Sequence, residues 1–136
     1  MEKVFVDTDI ILDLLSHREP FYIYSANLFS AADRNEIKLF VSSLSFSNLN
    51  YILSKQFSAE QARRMLFKFK TLVTVLAVTD KIVELALSSD LKDLEDALQY
   101  FSATENGIKV LLTRNLKDYK NAEISIFTAE QFLKGK

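Results

Sequence analysis

Short apolar runs alternate with longer amphipathic ones along this chain, and few turn residues separate them. Residues 4–6, "VFV", are β-branched and aromatic throughout, which predicts a buried strand. Helical spacing follows over 9–17, with Ile11, Leu12 and Leu15 on one face. A second helix is predicted over 21–36, directly after Pro20, a residue suited to a helix start. Residues 38–42 read as a second strand, and 44–55 return to helical spacing through Leu49, Ile52 and Leu53. Ser58 and Gln61 make a capping-box pattern. It opens an amphipathic helix over 58–72 with Ala62, Met65, Leu66 and Phe69 inward. A third strand is predicted over 73–78 and a helix over 79–89, with Ile82, Leu85 and Ala86 inward. Over 93–106 the stripe is Leu94, Ala97, Leu98 and Phe101, and Gly107 supplies a C-terminal stop. Further strands are predicted at 108–113 and 124–127, and a last helix opens with a second box, Thr128 and Gln131.

Short apolar strands separated by helices imply an α/β fold, a three-layer α/β/α sandwich around a mostly parallel sheet. A chain of 136 residues suits one domain over 1–136, and only two Gly and one Pro point to short loops. Ligands in such folds bind beyond the carboxyl ends of the strands, at a topological switch point. Asp7 follows the first strand and so falls where a binding crevice is expected.

Composition removes several classes of function. With no cysteine there is no disulfide framework, thiol nucleophile or cysteine-ligated zinc. The net charge of −1 gives no overall attraction for a polyanion, so a nucleic-acid contact must rest on a local basic patch. The longest nearly apolar run, 71–78, falls far short of the ~20 residues that span a bilayer. Acids at Glu2, Asp7 and Asp9 are wrong for a secretory signal. The expectation is a cytoplasmic protein with no membrane partner.

Polar groups recur near predicted strand ends and helix starts. Asp7, Asp9 and Asp13 open the chain, and Asn48 sits one turn into the third helix. Asp93, Glu95 and Asp96 share one first turn, and Asn115 and Asp118 follow a late strand. Carboxylates on separate elements that meet at one crevice suit a hard divalent cation with oxygen ligands, Mg²⁺ or Mn²⁺.

The segments "VFVDTDIILDLL", "VSSLSFSNLNYIL" and "DLEDALQYFSATENGIKVLLTRNLKDY" together resemble the PIN domain family, which includes nuclease toxins of bacterial toxin–antitoxin pairs. The resemblance implies a Mg²⁺- or Mn²⁺-dependent endoribonuclease acting on RNA. It also implies a possible antitoxin partner and a possible homodimer, with Tyr22 and Tyr24 on a dimer or partner surface. By motif position Asp7, Asp96 and Asp118 match the family's acids, Asp118 because Asn115 occupies the nearer position after the strand. Asn48 departs from the Glu usual at its place and removes one negative charge. Asp9 departs in the opposite sense and is expected to compensate, as a metal-site group. Arg114, Asn115 and Lys117 flank the expected site and are candidates to meet phosphates.

Structural readings stand beside these. Asp7 suits a helix N-cap worth ~1 kcal/mol, and Asp9 a first-turn acid favoured by the helix dipole. Asp13 reads as an exposed helix acid, Asp93 as an N-cap and Glu95 as a solvated first-turn acid. His17 reads as a dipole contact near a helix end, and the basic run "RRMLFKFK" as a solvated face. Two other functions compete with the nuclease. One is a degenerate PIN domain acting as a binding or scaffold module, supported by Asn48. The other is a dehalogenase-type phosphatase, suggested by the strand plus D-x-D of "VFVDTDII". The phosphatase lacks its usual residue at Ile11 and a later G-D-x-x-x-D motif. A receiver-like signalling domain shares the fold class but matches the acidic positions poorly.

Overall fold

The computed structural model describes residues 1–135. Five strands, β1 (Glu2–Val6), β2 (Ile37–Ser42), β3 (Thr74–Leu76), β4 (Val110–Leu112) and β5 (Ser125–Phe127), form one sheet in the order β3-β2-β1-β4-β5. Every pairing is parallel. Parallel neighbours need crossovers, and helices supply them. Helices α1 (Thr8–Leu15) and α2 (Tyr22–Asp33) join β1 to β2, and α3 (Ser43–Gln56) and α4 (Ala59–Lys70) join β2 to β3. Then α5 (Asp80–Leu87) and α6 (Leu94–Glu105) lead to β4, a 3₁₀ turn (Leu116–Tyr119) leads to β5, and α7 (Ala129–Lys134) follows.

The chain winds outward from β1 to β3, then returns past β1 to lay down β4 and β5. That reversal puts the switch point between β1 and β4, where flanking loops diverge and leave a crevice. Side chains alternate across the sheet. Val4, Val6, Leu39 and Val41 face a core closed by α1–α4 and α7. Phe5 and Phe40 face the opposite core, with Tyr100, Ala103, Ile108, Leu111 and Tyr119. Phe5 is fully buried, and covering such a ring contributes about 2–3 kcal/mol. Both faces are therefore covered, as the sandwich reading requires.

The structure departs from the sequence pattern in particular places. The third strand is only Thr74–Leu76, and β4 only Val110–Leu112. Helix α6 turns a different face inward. Leu94 is 49% exposed, and Leu98 and Phe101 are half-buried. The buried residues are Ala97, Gln99, Tyr100, Ser102 and Ala103. Small side chains let this helix lie close, and Ser102 satisfies its hydroxyl by donating to the Leu98 carbonyl at 2.7 Å. Gly107 ends the helix at φ +70°, a conformation a side chain disfavours. The Thr128 capping box is complete, whereas at Ser58 the side chain accepts from Gln61 N–H with no reciprocal bond to the cap backbone. His17 lies beyond α1 and stacks on Tyr22 at 3.6 Å. Tyr24 packs half-buried against the first core.

Candidate active site

The strand ends at the switch point hold the site. β1 delivers Asp7 and β4 delivers Thr113, and Asp7 N–H donates to the Leu112 carbonyl at 2.9 Å. Asp7 takes the N-cap position of α1 but makes no capping bond. Its Oδ2 instead accepts the Thr113 hydroxyl at 2.7 Å, and it is 4% exposed. Thr8 hydrogen-bonds Ser45 at 2.7 Å, tying the start of α1 to α3 and presenting the Asn48 face of α3 to Asp7. On the far side Asp93 caps α6 by accepting from Asp96 N–H at 3.0 Å, which fixes where Glu95 and Asp96 project.

These elements enclose a cleft of about 640 Å³. Its walls include six acids, Asp7, Asp9, Asp93, Glu95, Asp96 and Asp118, together with Asn48 and Asn115. No Lys, Arg or His lines it among the described residues. The charge density shows in the titration of its acids. Burial pushes Asp7 up to about 6. The Thr113 hydroxyl pulls the other way, and the charge on Asp9 adds to the rise. Burial, then the charges of Asp7, Asp93, Asp118 and Glu95, push Asp96 up to about 7. Asp96 Oδ1 also accepts the Tyr119 hydroxyl in a long bond of 3.4 Å. Gln99 is buried beneath the cleft, and neither end of its amide forms a well-shaped hydrogen bond.

Asp7, Asp9, Asn48, Asp96, Asn115 and Asp118 thus come together at one cleft. Arg114 and Lys117 do not line it. The Arg114 guanidinium lies 4.3 Å from the Phe21 ring centroid, and its Nε stands 3.1 Å from Asp13 Oδ2. Asp13 is not an exposed helix acid. It is 1% exposed, sealed beneath this arginine, and its Oδ1 has no hydrogen-bond partner. The α4 basic run points to solvent and contributes nothing to the cleft.

Glu95 is the residue sequence reasoning missed. It is half-buried in the cleft, and Asn48 Nδ2 donates to its Oε1 at 2.8 Å. Burial and the charge of Asp93 raise its pKa, against the pull of that bond. A carboxylate therefore stands beside position 48 after all, delivered by α6. No local pattern announces this. The signal was the triplet Asp93, Glu95, Asp96, in which Asp93 alone is needed for capping.

The donor set fits a hard dication, because every group is an oxygen ligand and the concentrated negative charge lacks a cation. The arrangement is open. Among the described residues no three acids or imidazoles stand close enough to cage an ion. Asp7, Asp9, Glu95 and Asp96 are held instead by Thr113, Asn115, Asn48 and Tyr119.

A parallel sheet with an oxygen-rich acidic cleft at its switch point defines an α/β domain whose cleft donors fit a hard dication. The PIN domain family model matches residues 3–117, and the chain belongs to that family. It is 32% identical to Ribonuclease VapC1 of Aquifex aeolicus, over 96% of this chain and 93% of that protein. Its fold is similar to that of DNA-bound VapBC from Salmonella typhimurium. That match has a TM-score of 0.71 and 19% identity, and covers 95% of this chain and 99% of the other. It is also similar to VapC20 of Mycobacterium tuberculosis, a sarcin-ricin loop cleaving toxin. There the TM-score is 0.63 at 17% identity, over 79% of this chain and 86% of the other.

Proposed function

We propose that this protein is a metal-dependent endoribonuclease of the PIN type, the toxin of a toxin–antitoxin pair. The observation that carries the reading is the cleft itself, six acids and no cation at the sheet's switch point. The ribonuclease named among its relatives supports RNA as the substrate, and the VapBC complexes support an antitoxin as the partner.

Asp7, Asp96 and Asp118 would hold the ion, with Asp9, Asn48 and Glu95 as further oxygen donors lining the same cleft. A bound Mg²⁺ or Mn²⁺ would neutralise the phosphodiester and ease loss of a proton from the attacking water. The residues of the chain prepare that step. Thr113 fixes Asp7 by donating to its Oδ2 at the cleft. Asn115 donates to Asp9 at 3.3 Å and tethers the loop that carries Asp118. With no histidine lining the cleft among the described residues, a carboxylate or solvent would take the proton that water loses.

The direct test is Mn²⁺ calorimetry on the wild type and on Asp96→Asn with its fold verified, followed by an RNA cleavage screen. Binding that Asp96→Asn removes, with cleavage lost in parallel, is the expected result. Asn48 and the uncaged acids favour one other reading, a PIN domain that binds without cutting. Its signature is no wild-type Mn²⁺ binding and no cleavage.

A further inference from the structure

The acidic cleft has a second wall of different chemistry. Asn48, Tyr51 and Ile52 line it from α3, and Leu12 joins them from α1. Lys55 follows one turn beyond Tyr51, so Asn48, Tyr51, Ile52 and Lys55 run along one face of the helix. The Tyr51 ring is 63% exposed at the cleft. Lys55 Nζ donates to the Tyr51 hydroxyl at 2.6 Å and lies 4.2 Å from the ring centroid. Phe57, Phe67 and Leu87 are comparably exposed but lie away from the cleft. Tyr51 is thus a large exposed ring beside the acids, with a cation at its edge.

We infer that Tyr51, backed by Lys55, is a stacking platform for an unpaired base of the RNA, adjacent to the phosphate that enters the acidic cleft. The inference rests on the ribonuclease reading and names the form of substrate it takes. A nucleotide has the same two parts as the cleft, an anionic phosphate and an apolar ring. The acids and their ion accept the first, and Tyr51, Ile52 and Leu12 accept the second. Arg114 is occupied by a buried acid, Asp13, whereas Lys55, exposed just beyond the cleft lining and bonded to the Tyr51 hydroxyl at the surface, can turn to the strand's phosphates. Stacking uses the face of a base, so a paired base inside a duplex cannot make it, and every unpaired base can. The substrate is therefore a single strand or loop, with little sequence preference arising at this position.

The test uses a short mixed-sequence RNA carrying 2-aminopurine, whose emission falls when the base stacks. It is mixed with the full chain and Mg²⁺ in stopped flow within the first turnover, alone and annealed to its complement. The wild type and Tyr51→Phe are expected to quench the single strand and leave the duplex bright. Tyr51→Ala is expected to bind about 5- to 100-fold more weakly without quenching. In turnover its KM rises while kcat is held, and its melting point matches the wild type because the ring is exposed. Equal quenching by Tyr51→Ala overturns the platform, as does equal quenching of the duplex, and continued cleavage would leave the ribonuclease reading intact. Tyr51-dependent quenching without cleavage by the wild type upholds the platform and removes the ribonuclease reading. No binding by the wild type overturns the platform.

Discussion

Asp7→Asn should stabilise the metal-free protein at pH 8. Asp7 is 4% exposed, and its carboxyl is raised from 3.8 to about 6, chiefly by burial. A rise of roughly two units means that the ionised form is disfavoured in the fold by about 3 kcal/mol at most. Between pH 4 and 6 the folded chain keeps a proton that the unfolded chain releases, so stability falls as pH rises through that window. Above pH 7 the group is ionised in both states and the whole penalty is present. Asparagine never ionises, can still accept the Thr113 hydroxyl, and removes one of the charges that raise Asp96. Against this, its Nδ2 needs a new acceptor in a buried place, at a cost of about 1–2 kcal/mol if none is found. The net gain at pH 8 is about 1–3 kcal/mol. For a chain of this length that is about 3–10 °C in melting temperature.

The assay is thermal unfolding in EDTA at pH 4 and pH 8, repeated at pH 8 with Mn²⁺. In EDTA the variant should melt above the wild type at pH 8, and its advantage should shrink towards zero at pH 4. With Mn²⁺ the wild type should gain and the variant should not, because ligand binding to the folded state alone raises stability. A variant that melts at or below the wild type at pH 8, or an advantage that does not change with pH, would refute the argument that Asp7 is a buried charge awaiting a cation.

Two more outcomes follow from the pairs around the cleft. Arg114→Met keeps the aliphatic stem but leaves Asp13 charged and sealed at 1% exposure. It should cost about 3 kcal/mol at pH 8, read as a lower urea midpoint, and less at acid pH, because burial already raises the Asp13 pKa and favours its neutral form. An equal loss at both pH values would mean packing on Phe21, rather than charge, holds the pair. Glu95→Gln should weaken Mn²⁺ binding by calorimetry, and adding Asn48→Glu should restore it. Failure of the second change to rescue would show that the carboxylate on α6 does not serve in place of one at position 48.

Elements with local signals were legible in the sequence. "VFV" followed by Asp7 marked a strand end, Asp93 marked the start of α6, Gly107 marked its stop, and the box at Thr128 marked α7. The convergence of Asp7, Asn48, Asp96 and Asp118 was legible through the resemblance to PIN domains. What remained hidden depends on partners far along the chain. Asp13 looks like any helix acid until β4 brings Arg114 over it. Glu95 looks solvated until α3 presents Asn48, 47 residues away. The stripe on α6 misled because Leu94 opens the helix exposed, whereas alanines and Ser102 are buried. Helical periodicity names the apolar positions of a helix but not which neighbour will cover them.

The treatment of cations explains the cleft's chemistry better than the acids do alone. Arg114 follows Thr113, the residue that holds Asp7, and a guanidinium there within reach of the acids would neutralise them. The fold sends it to Asp13 and Phe21 instead. Asp13 has little other business in the core, and its unpartnered Oδ1 shows that the pairing is imperfect. Yet it keeps this arginine out of the cleft. Lys55 also stays outside the cleft lining, exposed at the Tyr51 hydroxyl. Burial, and then the charges of neighbouring acids that no cation offsets, hold Asp7 and Asp96 high, and a diffusible dication becomes the natural counter-charge. A side-chain cation in that place would satisfy the carboxylates permanently and stabilise the fold, but it would leave no open coordination for a phosphate. On this argument the buried Asp13–Arg114 pair is part of the site's electrostatic design although neither residue touches the cleft.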